Sequence, residues 1–254
     1  MSNRSYACLS DAGRVHGTND DRWFADPEFG LFLVTDGMAV SEPAQLVVDV
    51  LPNMIRHRLG QSADLEIAAS SDLICSAIRD VSERVLAAAL DEPGVPWLGL
   101  GATIALVVAR GPHALLAHLG DSRIYLARDG RLHLMTRDHS WTEDLIRQGK
   151  LARDQVGPRA SNGGPTRFAG MVDEAVTDTR LLHLQAGERL MLCTDGLNSM
   201  LDDPAIENVM LSHAEPAAAC RALIDAANAA GGRDNVTVLI VAKESRGSAP
   251  AISS

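Results

Sequence analysis

Apolar and polar positions along this chain repeat with two different periods, and the order of those periods sets the expected architecture. Residues 5–10, 22–26 and 31–35 are short runs rich in aromatic and branched side chains, the pattern of strands. Ser41, Glu42 and Pro43 then open a helix running to about Leu59, proline being tolerated in a first turn. Leu73, Ile74, Ala77, Ile78, Val81, Val85 and Leu86 recur three and four residues apart, so a second helix carries an apolar stripe to near Leu90. From Gly101 the period shortens again. Residues 103–109, 114–119, 123–127 and 131–135 are separated by turn residues such as Arg110-Gly111-Pro112 and Asp129-Gly130, which predicts an antiparallel meander. A helix is expected over 141–148, weak periodicity over 149–176 and strands at 179–184 and 189–194. Helices at about 203–211 and 216–230 precede a last strand at 236–242. Strands in runs and helices in pairs favour antiparallel sheets faced by helices over a doubly wound parallel sheet.

At 254 residues the chain stands between one domain and two, at roughly 150 residues each. Its richest Gly/Pro stretches, 91–99 and 157–165, are only loop length, so one domain is expected, with a short tail from about Glu244. Hydrophobic residues at 46% and charged residues at 22% match a chain that buries a sizeable core. The strongest apolar run, 103–109, falls far short of the roughly 20 residues that cross a bilayer. No charged-then-apolar leader opens the chain, so a cytoplasmic protein without a membrane partner is expected. Acids outnumber bases 33 to 23, a formal charge of −10, which disfavours a nucleic-acid partner held through its phosphates. Cys8, Cys75, Cys193 and Cys220 occur singly, without metal-ligand spacing, and read as reduced packing thiols.

The chemistry lies in the acids. Residues 31–37 and 189–196 are near copies, each an apolar strand closed by Thr-Asp-Gly, at Asp36-Gly37 and Asp195-Gly196. A third strand delivers Asp121, Gly231-Gly232-Arg233 delivers Asp234 ahead of the last strand, and Asn19 leads the pair Asp20-Asp21. Taken singly, each is a turn signal or a solvated loop charge. Converging strand ends would instead crowd several carboxylates together, and like charges raise one another's pKa unless a cation neutralises them. All-oxygen ligation without His or Cys selects Mg²⁺ or Mn²⁺ over Zn²⁺. Glycine after Asp36 leaves a carbonyl free to approach an ion. An acidic two-metal site of this type suits hydrolysis of a phosphoester.

In this order the residues resemble the metal-dependent Ser/Thr protein phosphatases of type 2C, in their compact bacterial form. The similarity runs from Ser10 to about Ala242 through seven motifs: residues 10–21, 34–38, 101–103, 118–125, 136–140, 193–197 and 232–238. The resemblance implies an α+β fold, an α-β-β-α sandwich of two antiparallel sheets flanked by helix pairs, over residues 1–243. Residues 141–176 would correspond to the family's mobile flap beside the active site, and 244–254 to a disordered tail. It implies that Asp36 bridges two Mn²⁺ or Mg²⁺ ions with the Gly37 carbonyl on the second, and that Asp195 and Asp234 complete the first. Asp20 and Asp21 reach the second ion or its waters, with the direct ligand left open. Asp121 matches, with Asp195, a weaker third-ion position. The implied reaction is in-line attack on phosphorus by a metal-activated water, with no covalent enzyme intermediate. Asp36 and Asp195 are the residues on which turnover would depend.

The chain also departs from the family pattern. His16 stands where a phosphate-binding Arg is usual, with Arg14 two residues earlier; both are candidate phosphate contacts. Ala39-Val40 replace Gly-Gly, and Ser199 replaces an Asp or Asn. His118 and His139 read as structural, Arg123 as an ion-pair or surface residue, and Trp23, Trp97 and Trp141 are too scattered for a stacking platform. The resemblance leaves the leaving-group acid unassigned. It implies phosphoprotein substrates and, as partners, Ser/Thr kinases and their targets. Two alternatives differ in class. A haloacid dehalogenase type needs D-x-D, and Val34-Thr35-Asp36 lacks the first Asp. A pseudophosphatase that binds phosphoproteins without turnover would show no Mn²⁺-dependent hydrolysis of p-nitrophenyl phosphate.

Overall fold

A computed structural model describes residues 4–60, 67–91, 100–156 and 164–243. Along them run β1 (Arg4–Asp11), β2 (Arg22–Asp26), β3 (Leu31–Thr35), β4 (Gly37–Met38), α1 (Glu42–Leu59) and α2 (Ile67–Asp91). Next come β5 (Gly101–Ala102), β6 (Ile104–Arg110), β7 (His113–Leu119), β8 (Arg123–Arg128), β9 (Arg131–Leu134) and α3 (Trp141–Arg147). After a 3-10 turn at Arg153–Gln155 come β10 (Asp178–His183), β11 (Arg189–Cys193), α4 (Asp195–Asn198), α5 (Asp203–Ser212), α6 (Pro216–Ala229) and β12 (Val236–Lys243).

Alternation along the strands explains the layering. On β3, Leu31 and Leu33 face α1 and α2, while Phe32 and Val34 face a second sheet. On β8, Ile124 and Leu126 join that inter-sheet core, while Tyr125 and Ala127 pack under α5 and α6. Strands covered on both faces read as continuous apolar runs, and a sandwich with helices on both outer faces is the arrangement that covers them. One sheet has the order β1-β12-β11-β8-β9, the other β10-β7-β6-β3-β2, and every pair is antiparallel. Helix pairs α1–α2 and α5–α6 close the outer faces. The expected α-β-β-α sandwich is the observed one. No helix among the described residues is long and apolar enough to cross a membrane.

Predicted strands 22–26 and 31–35 coincide with β2 and β3. Asp129 and Gly130, at φ 53° and 70°, both take the positive values that a two-residue hairpin turn between β8 and β9 requires. α2 begins at Ile67, a turn and a half before the apolar stripe, and Leu73 falls off that stripe at 37% exposure. Three elements have no counterpart in the expected pattern: the short β4–β5 ribbon, which pairs Gly37 with Ala102, and the four-residue α4. Asp195 opens α4, so the acid expected at a strand end lies at a helix start. The tail from Glu244, residues 92–99 with Trp97, and residues 157–163 lie outside the described residues.

Ala39, leaving β4, sits at φ 68°, a left-handed conformation that costs an L side chain about 1–2 kcal/mol and glycine almost nothing. Offset by glycine's larger unfolded-state entropy, Ala39→Gly is expected to raise unfolding stability by about 0.5–1 kcal/mol. The check is a higher urea midpoint at unchanged slope; a lower midpoint would show that the loop is not strained there.

Candidate metal centre

Loops from both sheets end at one edge of the sandwich. Asp36 follows β3 in one sheet and Asp195 follows β11 in the other. Asp121 lies in the turn that crosses between sheets from β7 to β8, and Asp234 precedes β12. These four carboxylates line a single cleft of about 360 Å³ together with Met38, Pro165, Met200 and Arg233.

Close backbone approach brings the loops together. A Cβ on Gly37 would lie 2.8 Å from the Asp20 carbonyl and 2.6 Å from the Val40 carbonyl, so only glycine lets the Asp20–Asp21 loop close on Asp36. A Cβ on Gly196 would lie 1.9 Å from the Asn235 carbonyl, which is how Asp195 comes beside Asp234. Buried Asn235 then stitches the opening loop in place. Its Oδ1 accepts from the Asp20 N–H at 2.7 Å, and its Nδ2 donates to the carbonyls of Ala12 at 3.0 Å and Thr18 at 2.8 Å. Thr103 brackets Asp36 through both backbone groups: Oγ1 accepts from the Asp36 N–H and the Thr103 N–H donates to the Asp36 carbonyl, each at 3.0 Å.

Asp20 and Asp21, alike in sequence, are placed differently. Asp20 is half-buried and held through its backbone. Asp21 is buried, and its Oδ2 accepts from the hydroxyls of Thr194 at 2.8 Å and Thr237 at 2.7 Å. Its Oδ1 is buried with no hydrogen-bond partner among the described residues. Thr194 Oγ1 also accepts from the Thr237 N–H at 2.9 Å and makes no capping bond to α4, although its position would allow one.

Charge accumulates accordingly. Burial first, then the carboxylates of Asp21, Asp195, Asp121 and Asp234, hold Asp36 well above the ordinary carboxyl range. Asp195 is raised in the same way by burial, then by Asp121 and Asp234. Burial pushes Asp21 up to about 7 against the lowering pull of its two threonine bonds. Asp121 is also pushed to about 7, by burial and then by Asp138. Several buried acids that outnumber the one guanidinium at the cleft, offering only oxygen and including one orphaned oxygen, form a donor set that fits a hard divalent ion.

A family model described as protein phosphatase 2C matches residues 14–228. The chain belongs to the protein phosphatase 2C family. The serine/threonine phosphatase stp of Listeria welshimeri is 25% identical over 236 residues, covering 91% of this chain and 93% of that protein. PstP of Mycobacterium tuberculosis is 29% identical over 239 residues, 92% of this chain and 44% of PstP. Among solved structures, PppA, a key regulatory component of T6SS in Pseudomonas aeruginosa, superposes with a TM-score of 0.81 at 33% identity, over 95% of this chain and 98% of PppA. The catalytic domain of PstP in complex with two manganese ions superposes with a TM-score of 0.79 at 29% identity, over 95% and 99%. This 2C-type protein is a metal-dependent Ser/Thr phosphatase acting on phosphoproteins with Mn²⁺ or Mg²⁺.

The candidate phosphate contacts stand outside the residues that line the cleft. His16 sits at the rim, half-exposed, with Nε2 3.5 Å from Asp234 Oδ1. Arg14 is exposed, and its backbone N–H donates to the Gly232 carbonyl at 2.6 Å. Neither is among the residues lining the cleft; the basic residue that is there is Arg233. Arg123 forms a two-pronged pair with Asp138 at 2.8 and 2.6 Å, which bears out its reading as an ion-pair residue. The sequence reasoning assigned no role to Thr194, Thr237, Asn235 or Arg233. The signals were present, since Thr194 lies in the repeated Thr-Asp-Gly and the other three lie in the last motif.

A pH dependence follows with a definite sign. Asp21 and Asp121 bind protons more tightly folded than unfolded. Their contribution to stability is therefore full below the unfolded carboxyl pKa, near 4, and is lost as pH rises through about 7. Metal ions compete with those protons. The rise in melting temperature on adding Mn²⁺ to EDTA-treated protein is expected to be small at pH 5 and large at pH 7.5. Equal rises at both would show that protons and metal do not share these carboxylates.

Proposed function

We propose that this phosphatase hydrolyses phosphoserine and phosphothreonine in the cleft where Asp36, Asp121, Asp195 and Asp234 meet. The observation that carries this assignment is the convergence of four carboxylates, from loops of both sheets, on a space that also receives one guanidinium. In this reading Asp36 would serve both of two ions, the Gly37 carbonyl the second, and Asp195 and Asp234 the first. Asp20 and Asp21 support the second ion or its waters, and Asp121 with Asp195 holds a weaker third ion. Divalent ions held by these carboxylates would supply a water of lowered pKa and offset the phosphate charge.

The chain's own residues set the geometry. Thr194 and Thr237 fix the Asp21 carboxylate through one oxygen and leave the other without a hydrogen-bond partner among the described residues. Arg233 offers a planar, permanently charged fork to phosphate oxygens that the ions leave free. His16 at the rim supplies at most one further donor. Met38, Pro165 and Met200 supply apolar parts of the cleft wall. The kinases that phosphorylate its substrates are the partners this activity requires. Four free thiols support a reducing compartment, hence the cytoplasm.

Two tests follow. Asp36→Asn removes a bridging charge and is expected to lower kcat on p-nitrophenyl phosphate by about 10² or more with the fold intact. Undiminished turnover would sink the assignment. Loss of a charged hydrogen bond, about 1.5–3 kcal/mol, predicts that Arg233→Ala raises KM by about tenfold or more. His16→Ala would move it by about threefold or less, as for a weaker, exposed contact. Steady-state kinetics giving the reverse ranking would return the phosphate contact to His16.

A further inference from the structure

On the side of the sandwich where the two sheets end in β9 and β10, the inter-sheet core gives out into a second cleft, of about 520 Å³. Leu116 of β7 and Met135 beyond β9 reach it from that core. In the register of β10 on β7, Arg180 stands opposite Leu116 and Asp178 opposite His118, while Leu182 stands opposite Ala114 in the core. Directly opposite residues share a face of a sheet, so Asp178 and Arg180 turn inward with Leu182. The cleft shares no lining residue with the one where the carboxylates meet.

An inward charge on an edge strand is one way of preventing sheet-to-sheet aggregation, which would account for Arg180 alone. It does not account for the polar groups beneath. His118 lies on the interior strand β7, 2% exposed, and neither of its ring nitrogens has a hydrogen-bond partner among the described residues. Backbone at Ser122 faces the ring but stays outside bonding geometry. The hydroxyl of Thr177, which lines the same cleft, is likewise buried and unpartnered. Although His118, His139 and Asp178 hold ligand-capable atoms within 4.8 Å of one another, two of the three are engaged together. His139 Nδ1 accepts from the Gly120 N–H at 3.1 Å, so the ring proton sits on Nε2, 3.2 Å from Asp178 Oδ2. That tautomer turns no lone pair toward a metal, and His118 is the member left over. Burial, then the neighbouring His139, push His118 down to about 4. At neutral pH its ring is therefore uncharged, with one donor and one acceptor nitrogen. Native folds seldom leave two such groups unpaired together.

Charge and shape at the mouth narrow what could reach them. Arg180 is exposed, with no ion pair among the described residues, and Arg137 lies 3.8 Å from Glu143. Asp178, which also faces Arg167 at 3.8 Å, puts a negative charge into the wall. A free guanidinium beside a carboxylate suits a monoanion and disfavours a phosphate dianion. The volume is that of a small-molecule site, and Leu116, Leu134 and Met135 give it an apolar wall for a flat ring. Arg180 and Asp178 are two strand residues apart, about 7 Å, and His118 stands opposite Asp178. A ring with a carboxylate at one end and a hydroxyl at the other spans that interval.

We propose that this cleft binds an aromatic monocarboxylate, its carboxylate on Arg180, its ring against Leu116 and Met135, and a hydroxyl at its far end bonded to His118 and Thr177. Because both groups lie just beneath the cleft floor, the ligand gains them as the unbranched side chain of Met135 gives way.

The test titrates the ¹⁵N-labelled full chain, with Mg²⁺ present, with 4-hydroxybenzoate. NMR follows the amides of β7 and β10 and the His118 ring nitrogens, and turnover of p-nitrophenyl phosphate is measured in parallel. Saturable shifts are expected at those positions, with benzoate bound about tenfold more weakly for want of the hydroxyl, and 4-hydroxybenzamide about tenfold or more weakly for want of the charge. Arg180→Ala is expected to lose about tenfold or more in affinity for 4-hydroxybenzoate while turnover stays at the wild-type rate. His118→Phe keeps a ring in place and is expected to bind 4-hydroxybenzoate and benzoate alike. Thr177→Val narrows the same preference and keeps the test decisive should His118→Phe not fold. Shifts confined to Asp36, Asp195 and their neighbours, equal affinity in Arg180→Ala, or a hydroxyl preference undiminished in both His118→Phe and Thr177→Val overturns the proposal. So does the absence of saturable shifts, which would leave buried water as the partner of His118 and Thr177.

Discussion

Like charge confined to a small, partly dry space is the constraint on which the rest of this structure depends. Asp21, Asp36, Asp121 and Asp195 lie in one another's fields, and burial drives each toward its protonated form. Loops bearing such charges are pushed apart, so the fold must hold them by other means. It does so through groups that carry no net charge. Asn235 joins three backbone groups of the opening loop, Thr103 brackets Asp36, and two threonine hydroxyls fix Asp21. Each of these bonds is between parts of the chain far apart in sequence. The acidic edge is thus a product of the whole sandwich.

The sandwich suits this task because its two sheets are packed rigidly through a shared apolar core. Phe32 and Val34 of one sheet meet Leu190, Leu192, Leu239 and Val241 of the other with no exposed surface. Strands locked at that interface deliver their ends at fixed positions, and close packing transmits small displacements instead of absorbing them. Asp36 and Asp195, one from each sheet, therefore keep a set separation, which under the proposed reading lets them share ions. The turn with Asp121 spans the sheets and is braced by Thr103, whose hydroxyl is 2.6 Å from that of Ser122. Metal affinity and core packing are in this sense the same property seen at two distances.

Much of this was legible in the chain, and what was not legible has physical reasons. Strands such as β2 and β3 announce themselves because short runs of aromatic and branched residues bounded by turn residues are local signals. The acids of the site were legible as a repeated strand-end pattern, and their register gave the family. The β4–β5 ribbon and α4 were not, since elements of two and four residues carry no period. Nor could sequence separate Asp20 from Asp21. Their difference is made by Thr194 and Thr237, more than 170 positions away. His139 read as structural; that it joins Gly120 to Asp178 is tertiary information held in hydrogen bonds, which leave no periodic trace.

His16 marks where register and space part company. A motif register assigns a cation to a position in the chain, but a phosphate senses only where charge stands around it. Here the opening and last loops form one surface, because the Arg14 N–H donates to the Gly232 carbonyl and Gly13 has its Cα against the Asp234 backbone. A guanidinium absent from position 16 can therefore be supplied by the last loop, and Arg233 is the residue at that cleft. Under the proposed reading, this places the phosphate donor next in sequence to the ion ligand Asp234. Ordering the loop around a bound ion then also orders the group that holds the substrate, so ion occupancy and phosphate affinity rise together.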